Sequence, residues 1–453
     1  MNRFALALAS LLGLCSSTVL AWGNHSFAAY RAFERMPEVA TAAPVPVESL
    51  EVFLKAEEKA IEALLKEQEA WASANLEYYP ARPAGLAFSA NPARTDDARR
   101  LAFLMALRVA PDSKLALYVQ PDPQLQAGTA VDATRALPHS SVNTLPQPPN
   151  STHRFVKINP GETVTPLQVI ASASDEPDYG LDINLWGDSP SDWGKVYGFG
   201  PLSFGNPAVN FATQSPFHMG FFHESRVIYL AAPFLKKTFP LWRVHQYTGL
   251  AALAWRTGHP YWGWRFAGLA LHYVQDLTQP YHASVSPGDG TLKLIGTNLL
   301  AMAGMPRKKN ELVVLLSNRH LALEKYQTQL LRRAALAQQD TAIEQALRNP
   351  QRDASYPAWS ERYTRDVVAR ESHDYGVELS DTLMATMPPL FVSDPAFDFG
   401  VKEAQIDVLT ELGKQDATQR AQLDAAIAKL LGHFGSHSRN VLRGVLQAGG
   451  VKP

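Results

Sequence analysis

The sequence comprises 453 residues with 42 Lys and Arg against 43 Asp and Glu, a formal net charge of −1. That balance gives no electrostatic footprint for duplex nucleic acid, although bound metals would supply positive charge locally. Cys15 is the only cysteine, which excludes an intrachain disulfide and a cysteine-built metal cage. A metal would have to be held by His, Asp, Glu or backbone groups.

The first residues are organised as a secretory leader. Arg3 supplies positive charge, Phe4 to Leu14 form a short apolar run, and Thr18-Val19-Leu20-Ala21 offers a small-residue cleavage site. The run is too short for a comfortable membrane span, and Ser16, Ser17 and Thr18 follow it. Export to a periplasm or beyond the cell is expected, with residues 1–21 removed. A retained anchor is the alternative. Lipidation at Cys15 is opposed by Leu14, where a small residue is required. The mature chain would begin at Trp22 and contain no cysteine.

Helical periodicity dominates the rest. Leu50, Phe53, Leu54, Ile61, Leu64 and Leu65 fall on one face of a Glu- and Lys-rich segment, interrupted in the turn that holds Glu57 and Glu58. Residues 94–109 repeat the pattern. Residues 110–168 lose it, with nine prolines from Pro111 to Pro166, and read as an irregular excursion or small insertion. Asn150-Ser151-Thr152 is a formal glycosylation sequon that matters only in a eukaryotic secretory host. Successive helices are expected over about 219–347, 357–389 and 400–446, with no internal repeat and no convincing set of alternating strands. The fold class predicted is all-α, a multi-helix bundle with a Pro-rich irregular insertion. Residues 22–390 form the main domain, with an insertion at about 40–170, and residues 391–453 form a helical extension packed on it.

Three elements carry chemistry. In His272-Tyr-Val-Gln-Asp276-Leu-Thr-Gln-Pro-Tyr-His282, His272 and Asp276 are four apart, on one face of a helix, within reach of one metal or two adjacent ones. Pro280 is expected to end that helix and let His282 point back. An isolated pair of this kind reads first as a hydrogen-bonded core pair; the third potential ligand after Gln279-Pro280 shifts the balance. His320 and Glu324 repeat the spacing on a helix over about 309–339, a pattern that alone reads as a surface pair. The third element is the new N-terminus, Trp22-Gly23-Asn24-His25. A free α-amino group titrates near pH 8, so a metal can displace its proton, and the amine and carbonyl of Trp22 would chelate one ion with His25 close by. The alternative is an ordinary terminus with a chance His.

Taken in order, these elements resemble the zinc-dependent phospholipase C and single-strand-specific nuclease superfamily, from Trp22 to about Glu324. Members show an N-terminal Trp, a His, an Asp, a His, then His-x3-Asp-x5-His and His-x3-Glu. The resemblance implies three zinc ions at one cleft. One would be held by Asp178, His218, His272 and Asp276, a second by His282, His320 and Glu324, and a third by the Trp22 amine and carbonyl, His25 and Asp276, so that Asp276 bridges two ions. Asp178 is chosen for the Asp-Tyr step found at this place in the phospholipases, with Asp175 and Asp182 as alternatives. His218 is preferred to His223, which would orient a ligand or sit in the core. The gaps from Asp178 to His218 and from His282 to His320 are longer than in compact members.

The implied activity is metal-assisted phosphodiester hydrolysis, with Asp178 orienting the attacking water or taking its proton. Phospholipase C action on a phospholipid or membrane surface leads. A nuclease acting on single-stranded nucleic acid is the alternative, and an inert, metal-stabilised binding protein is the reading of a different class. No obligate protein partner is implied. Tyr261, Trp262, Trp264 and Phe266 are expected in the core rather than at a substrate surface.

Overall fold

The structure, a computed structural model, describes residues 22–124, 132–147, 151, 153–207 and 209–451. The leader with Cys15, and Asn150 and Thr152 of the sequon, lie outside these residues. Helix accounts for 61 % and strand for 3 %, so the fold is all-α as expected.

Helix α1 (His25–Phe33) opens the described chain and is buried along nearly its whole length. The apolar stripe that follows is split into α2 (Leu50–Ala56) and α3 (Glu58–Asn75), because Glu57 leaves the helical conformation at φ −112° and ψ 18°. The two carboxylates on the apolar face explain the break. Glu58 turns inward to Arg99 of α4 (Asp96–Leu107) at 2.7 Å, and both are buried. Glu57 lies 3.4 Å from His259.

The Pro-rich stretch holds short strands. Strand β1 (Val45–Pro46) pairs antiparallel with β5 (Thr163–Val164), closing the excursion at its base. Between them β2 (Tyr118–Val119), β3 (Ala136–Leu137) and β4 (Phe155–Lys157) form a sheet ordered β2-β4-β3. The helices within the insertion expected at about 40–170 share the main core: Phe53, Ile61 and Phe103 lie in one cluster with Trp22, Leu269 and Phe434.

A Thr165–Gln168 capping box starts α5 (Pro166–Ala173). After the short α6 (Arg226–Ala231), α7 (Pro240–Arg256) and α8 (Pro260–Asp276) form a hairpin, each with Pro in its first turn, where no amide hydrogen is needed. Then come α9 (Thr291–Met302), α10 (Arg307–Ala337), α11 (Ala342–Arg348), α12 (Arg370–Thr386) and α13 (Ala417–Ala448). Helix α8 is the centre of the fold. Every residue from Tyr261 to Asp276 is buried, including the four aromatics expected in the core, and α5, α7 and α13 pack around it. Pro280 was expected to mark the end of this helix. Instead α8 stops at Asp276, and Pro280 begins a separate turn, Pro280–Ala283, whose first available amide is capped by the Gln279 side chain at 2.6 Å.

The C-terminal segment is built into the same core. In α13, Arg439 donates to Asp353 at 2.8 Å, Leu347 O at 2.6 Å and Ala32 O at 3.1 Å, and Ser438 accepts from Gln275 at 3.2 Å.

The contact between α5 and α8 rests on Gly268. A Cβ there would stand 2.6 Å from Ala173 Cβ and 2.7 Å from Ile170 O, so any side chain pushes the two helices apart. Gly268→Ala is therefore expected to cost about 1–3 kcal/mol in urea unfolding. Gly296→Ala, at a helical position with nothing within 4 Å, is expected to be neutral or to stabilise by roughly 0.5–1 kcal/mol.

Candidate metal centre

The site is assembled at the C-terminal end of α8. Asp276 is its last residue and is fully buried. Its two carboxylate oxygens face different histidines. Oδ2 lies 2.8 Å from His218 Nδ1 and 3.3 Å from His272 Nε2, while Oδ1 lies 3.2 Å from His25 Nε2.

The Oδ2 side is a four-residue set. His218 Nδ1 and His272 Nε2 are 3.0 Å apart, and Asp178 Oδ1 lies 3.9 Å from the first and 3.8 Å from the second. A tetrahedral ion with His and carboxylate ligands at ~2.0–2.1 Å requires ligand atoms roughly 3.3 Å apart, and these separations bracket that value. Helix geometry sets His272 one turn before Asp276. The other two members arrive on short turns, Glu176–Tyr179 and Ser215–His218. On the opposite side, His282 Nε2, His320 Nε2 and Glu324 Oε1 are separated by 3.2, 2.7 and 3.8 Å. His320 and Glu324 lie one turn apart on α10, and His282 on the Pro280 turn.

Three buried groups can therefore hold metal ions: Asp178, His218 and His272; His25, His272 and Asp276; His282, His320 and Glu324. His272 appears twice but offers one free nitrogen, since its Nδ1 donates to Ser174 O at 2.7 Å. Its Nε2 points into the four-residue set, which leaves Asp276 as the bridge to His25. The donor set suits a cation on a further count. His25 Nε2 and Asp276 Oδ1 are both buried without a hydrogen-bond partner, close together yet not aligned for a bond with each other. Two ligands of one ion adopt that arrangement.

Trp22 is fully buried, and its indole donates to Thr278 at 3.0 Å, two residues beyond Asp276. The first described residue is thus held against the end of α8, near Asp276.

The alternatives to Asp178 and His218 are engaged elsewhere. Asp175 accepts from Ser26 N at 3.0 Å and from Gln120 at 2.9 Å, tying α1 down. Asp182 is fully buried, with one oxygen held by Arg243 at 2.5 and 2.9 Å and the other by Tyr273 at 2.6 Å. It stands 3.6 Å behind His218 Nε2, as a partner to a ligand rather than a ligand. His223 bonds Arg365 O at 2.7 Å, outside the cluster.

The residues that orient the ligands were not singled out by the sequence. Gln275 Oε1 fixes His25 Nδ1 at 2.9 Å, Gln279 donates to Glu324 at 3.2 Å, and Gln214 donates to Asp178 at 3.0 Å. His282 Nδ1 donates to His218 O at 3.0 Å. Gln275 and Gln279 stand inside the His272–His282 block, each next to a ligand or its turn, which was the available signal.

Charge is distributed unequally. Burial works against charge on His25 and His218, but Asp276, with Asp182 beside His218, outweighs it and raises them to about 9 and about 10. Asp276 is held well below the carboxylate range: burial opposes this, and the surrounding histidines prevail. In the other group burial dominates, lowering His282 to about 4 and His320 to about 3 and raising Glu324 well above its usual value.

No protein-family model matches this chain, no characterised protein matches its sequence, and no solved structure matches its fold.

Two outcomes follow. His25 and His218 carry protons at pH 7 in the metal-free protein, so loading must release them. Titration with a divalent metal in weak buffer should release at least two protons per chain at pH 7, fewer as the pH approaches 10. Because both folded values lie above the ordinary histidine value, their contribution to metal-free stability is complete below about pH 6.5 and is lost as pH rises through 9 to 10. The urea midpoint of the metal-free protein should fall over that window. Separately, Asp276→Asn should remove metal from both groups that share it, whereas Glu324→Gln should affect one.

Proposed function

We propose that this protein is an exported, zinc-dependent phosphodiester hydrolase that acts as a phospholipase C, cleaving the bond between glycerol and phosphate. The observation that carries the reading is the shared Asp276 carboxylate between two histidine groups, with a third group of two histidines and one carboxylate behind it. Adjacent metal sites joined by a carboxylate suit displacement at phosphorus, where charge builds on several oxygens at once.

The ligand assignment proposed is Asp178, His218, His272 and Asp276 for one ion, His282, His320 and Glu324 for a second, and His25, Asp276 and the Trp22 amine and carbonyl for a third. All donors are nitrogen or oxygen, and histidine-rich tetrahedral sets suit zinc. Bound zinc supplies Lewis acidity and lowers the pKa of water toward neutrality.

The chain's own groups supply the rest. Asp178 is the most exposed residue of the set, at 7 %, and the loosest member of its group, at 3.8 and 3.9 Å from the two histidines. Burial and the Asp276 charge raise its pKa. A carboxylate with a raised pKa, oriented by Gln214, suits the role of holding the attacking water and taking its proton. Asp182 and the Ser174 carbonyl keep His218 and His272 oriented.

A single-strand nuclease would present an aromatic platform for stacked bases. Among the described residues no Phe, Tyr or Trp is more than partly exposed, which favours the phospholipid reading.

Mature, zinc-loaded protein should release diacylglycerol from phosphatidylcholine, and His272→Ala should abolish the release. Asp178→Asn should lower kcat by about 10²- to 10⁴-fold. No release from metal-replete protein would overturn the phospholipase reading. One additional residue before Trp22 should cost the ion that the terminal amine helps to hold, read as metal content per chain; unchanged content would remove Trp22 from the ligand set.

A further inference from the structure

The chain between the metal ligands builds a small lobe that the site itself does not use. Residues on both sides of His218, after His282 and before His320 form a separate core of Phe204, Phe221, Ile228, Val285, Leu294 and Leu312. The roots of this lobe are the ligands' own backbone. Gly220 N donates to His282 O at 2.8 Å, and Glu224 accepts from Val285 N at 2.8 Å.

The lobe's surface is unusual in two respects. Helix α9 turns Leu294 and Asn298 inward and directs Leu292, Leu299 and Leu300 to solvent, at 87, 48 and 42 % exposure. On α6, Leu230 is 84 % and Val227 51 % exposed. A Ser225–Thr291 hydroxyl contact of 3.2 Å ties the starts of the two helices together. With Met305 in the turn after α9, six of the fourteen large apolar side chains exposed among the described residues fall on this one lobe. Exposed apolar residues scattered singly are ordinary; their concentration marks a surface that meets something apolar. The second feature is charge. Residues 224–237 and 287–311 carry seven Lys or Arg against three carboxylates, in a chain of net charge −1; Lys309 is buried, and the other six reach the surface, where Lys236, Lys293, Arg307 and Lys308 pair with Glu77, Asp289 and Glu311.

We infer that this lobe docks the protein on an anionic phospholipid surface, with the leucines of α6 and α9 among the outer acyl segments and the basic residues at the headgroups. Leucine on one face with Lys and Arg around it is the composition of interfacial helices. Lys293 on α9 and Arg307 and Lys308 just beyond it are exposed and pair with Asp289 and Glu311; their long stems let the charged ends turn from these partners to lipid headgroups. No described helix is long and apolar enough to cross a membrane. The lobe is rooted beside His218 and His282, so docking brings those ligand-bearing segments toward the lipid. In that respect the inference rests on the phospholipase reading and extends it.

The test is sedimentation of mature, zinc-loaded protein with vesicles of phosphatidylcholine containing about one third phosphatidylglycerol. The comparison is with the triple variant Leu230→Ser, Leu292→Ser, Leu299→Ser, each at an exposed position. The native protein should cosediment, and the variant should partition roughly 30- to 100-fold less, with unchanged circular dichroism. Turnover of a short-chain phospholipid dissolved as monomer should not change. Arg307→Glu with Lys308→Glu should weaken binding to anionic vesicles and leave the same monomer turnover intact. Absence of native cosedimentation, or equal binding by the leucine variant, overturns the docking. Cosedimentation lost in the variant, without hydrolysis of any phospholipid by the native protein, upholds docking and overturns the phospholipase reading instead.

Discussion

The structure turns on one buried anion. Asp276 sits at the C-terminal end of α8, where the helix dipole presents its negative pole, and it has no access to water. Both circumstances work against a carboxylate. Burying an ionised carboxylate without compensation is prohibitive, so positive charge must be brought to it. The chain directs His25, His218 and His272 at its two oxygens from three separate segments. Protonated His25 and His218 meet that demand in the metal-free protein, and a bound metal ion would meet it with the imidazoles as neutral ligands.

The surrounding fold reads as the means of holding those segments. The last carbonyls of α8 are taken up by Thr278 and Gln279, so the helix ends cleanly beside the site. Thr278 also receives the Trp22 indole, which anchors the start of the described chain. Asp175 accepts from the backbone of α1 and thereby sets the direction from which His25 enters. The Arg243–Asp182–Tyr273 set is buried, hydrogen-bonded on both carboxylate oxygens, and backs His218. A charge pair in such a place contributes less to stability than to position; here what it positions is His218, one of the candidate ligands. The two groups also differ in electrostatic state. Around Asp276, His25 and His218 are charged, whereas burial keeps His282 and His320 neutral. The second group is thus the one whose histidines need no deprotonation before they bind.

Much of this was legible in the sequence. Four-residue spacings placed His272 with Asp276 and His320 with Glu324 on helix faces, and both pairs lie one turn apart on α8 and α10. The all-α class followed from periodicity, and the core role of Tyr261, Trp262, Trp264 and Phe266 from their position. What sequence spacing could not reveal was anything mediated by the backbone. The Ser174 and His218 carbonyls fix two ligand tautomers and leave no mark on the sequence. The choice among Asp175, Asp178 and Asp182 rested on a resemblance, because carboxylates so close along the chain are equivalent until their partners are known. Asp175 and Asp182 are distinguished by long-range bonds to Ser26, Gln120 and Arg243. In the sequence Pro280 has the character of a helix terminator, but Asp276 ends α8 and Pro280 starts the next turn. The outward-facing leucines of α9 carry the periodicity of an ordinary amphipathic helix, and only the structure tells which side of it is covered.

Anomalous diffraction at the zinc edge from crystals of the mature protein, grown with zinc, tests most directly whether these buried histidines and carboxylates are metal ligands. Three peaks are predicted. One lies among Asp178, His218, His272 and Asp276, one between His25 and the other Asp276 oxygen, and one among His282, His320 and Glu324. Crystals that show no anomalous density at these positions, with Asp276 instead bonded directly to protonated histidines, would contradict the assignment.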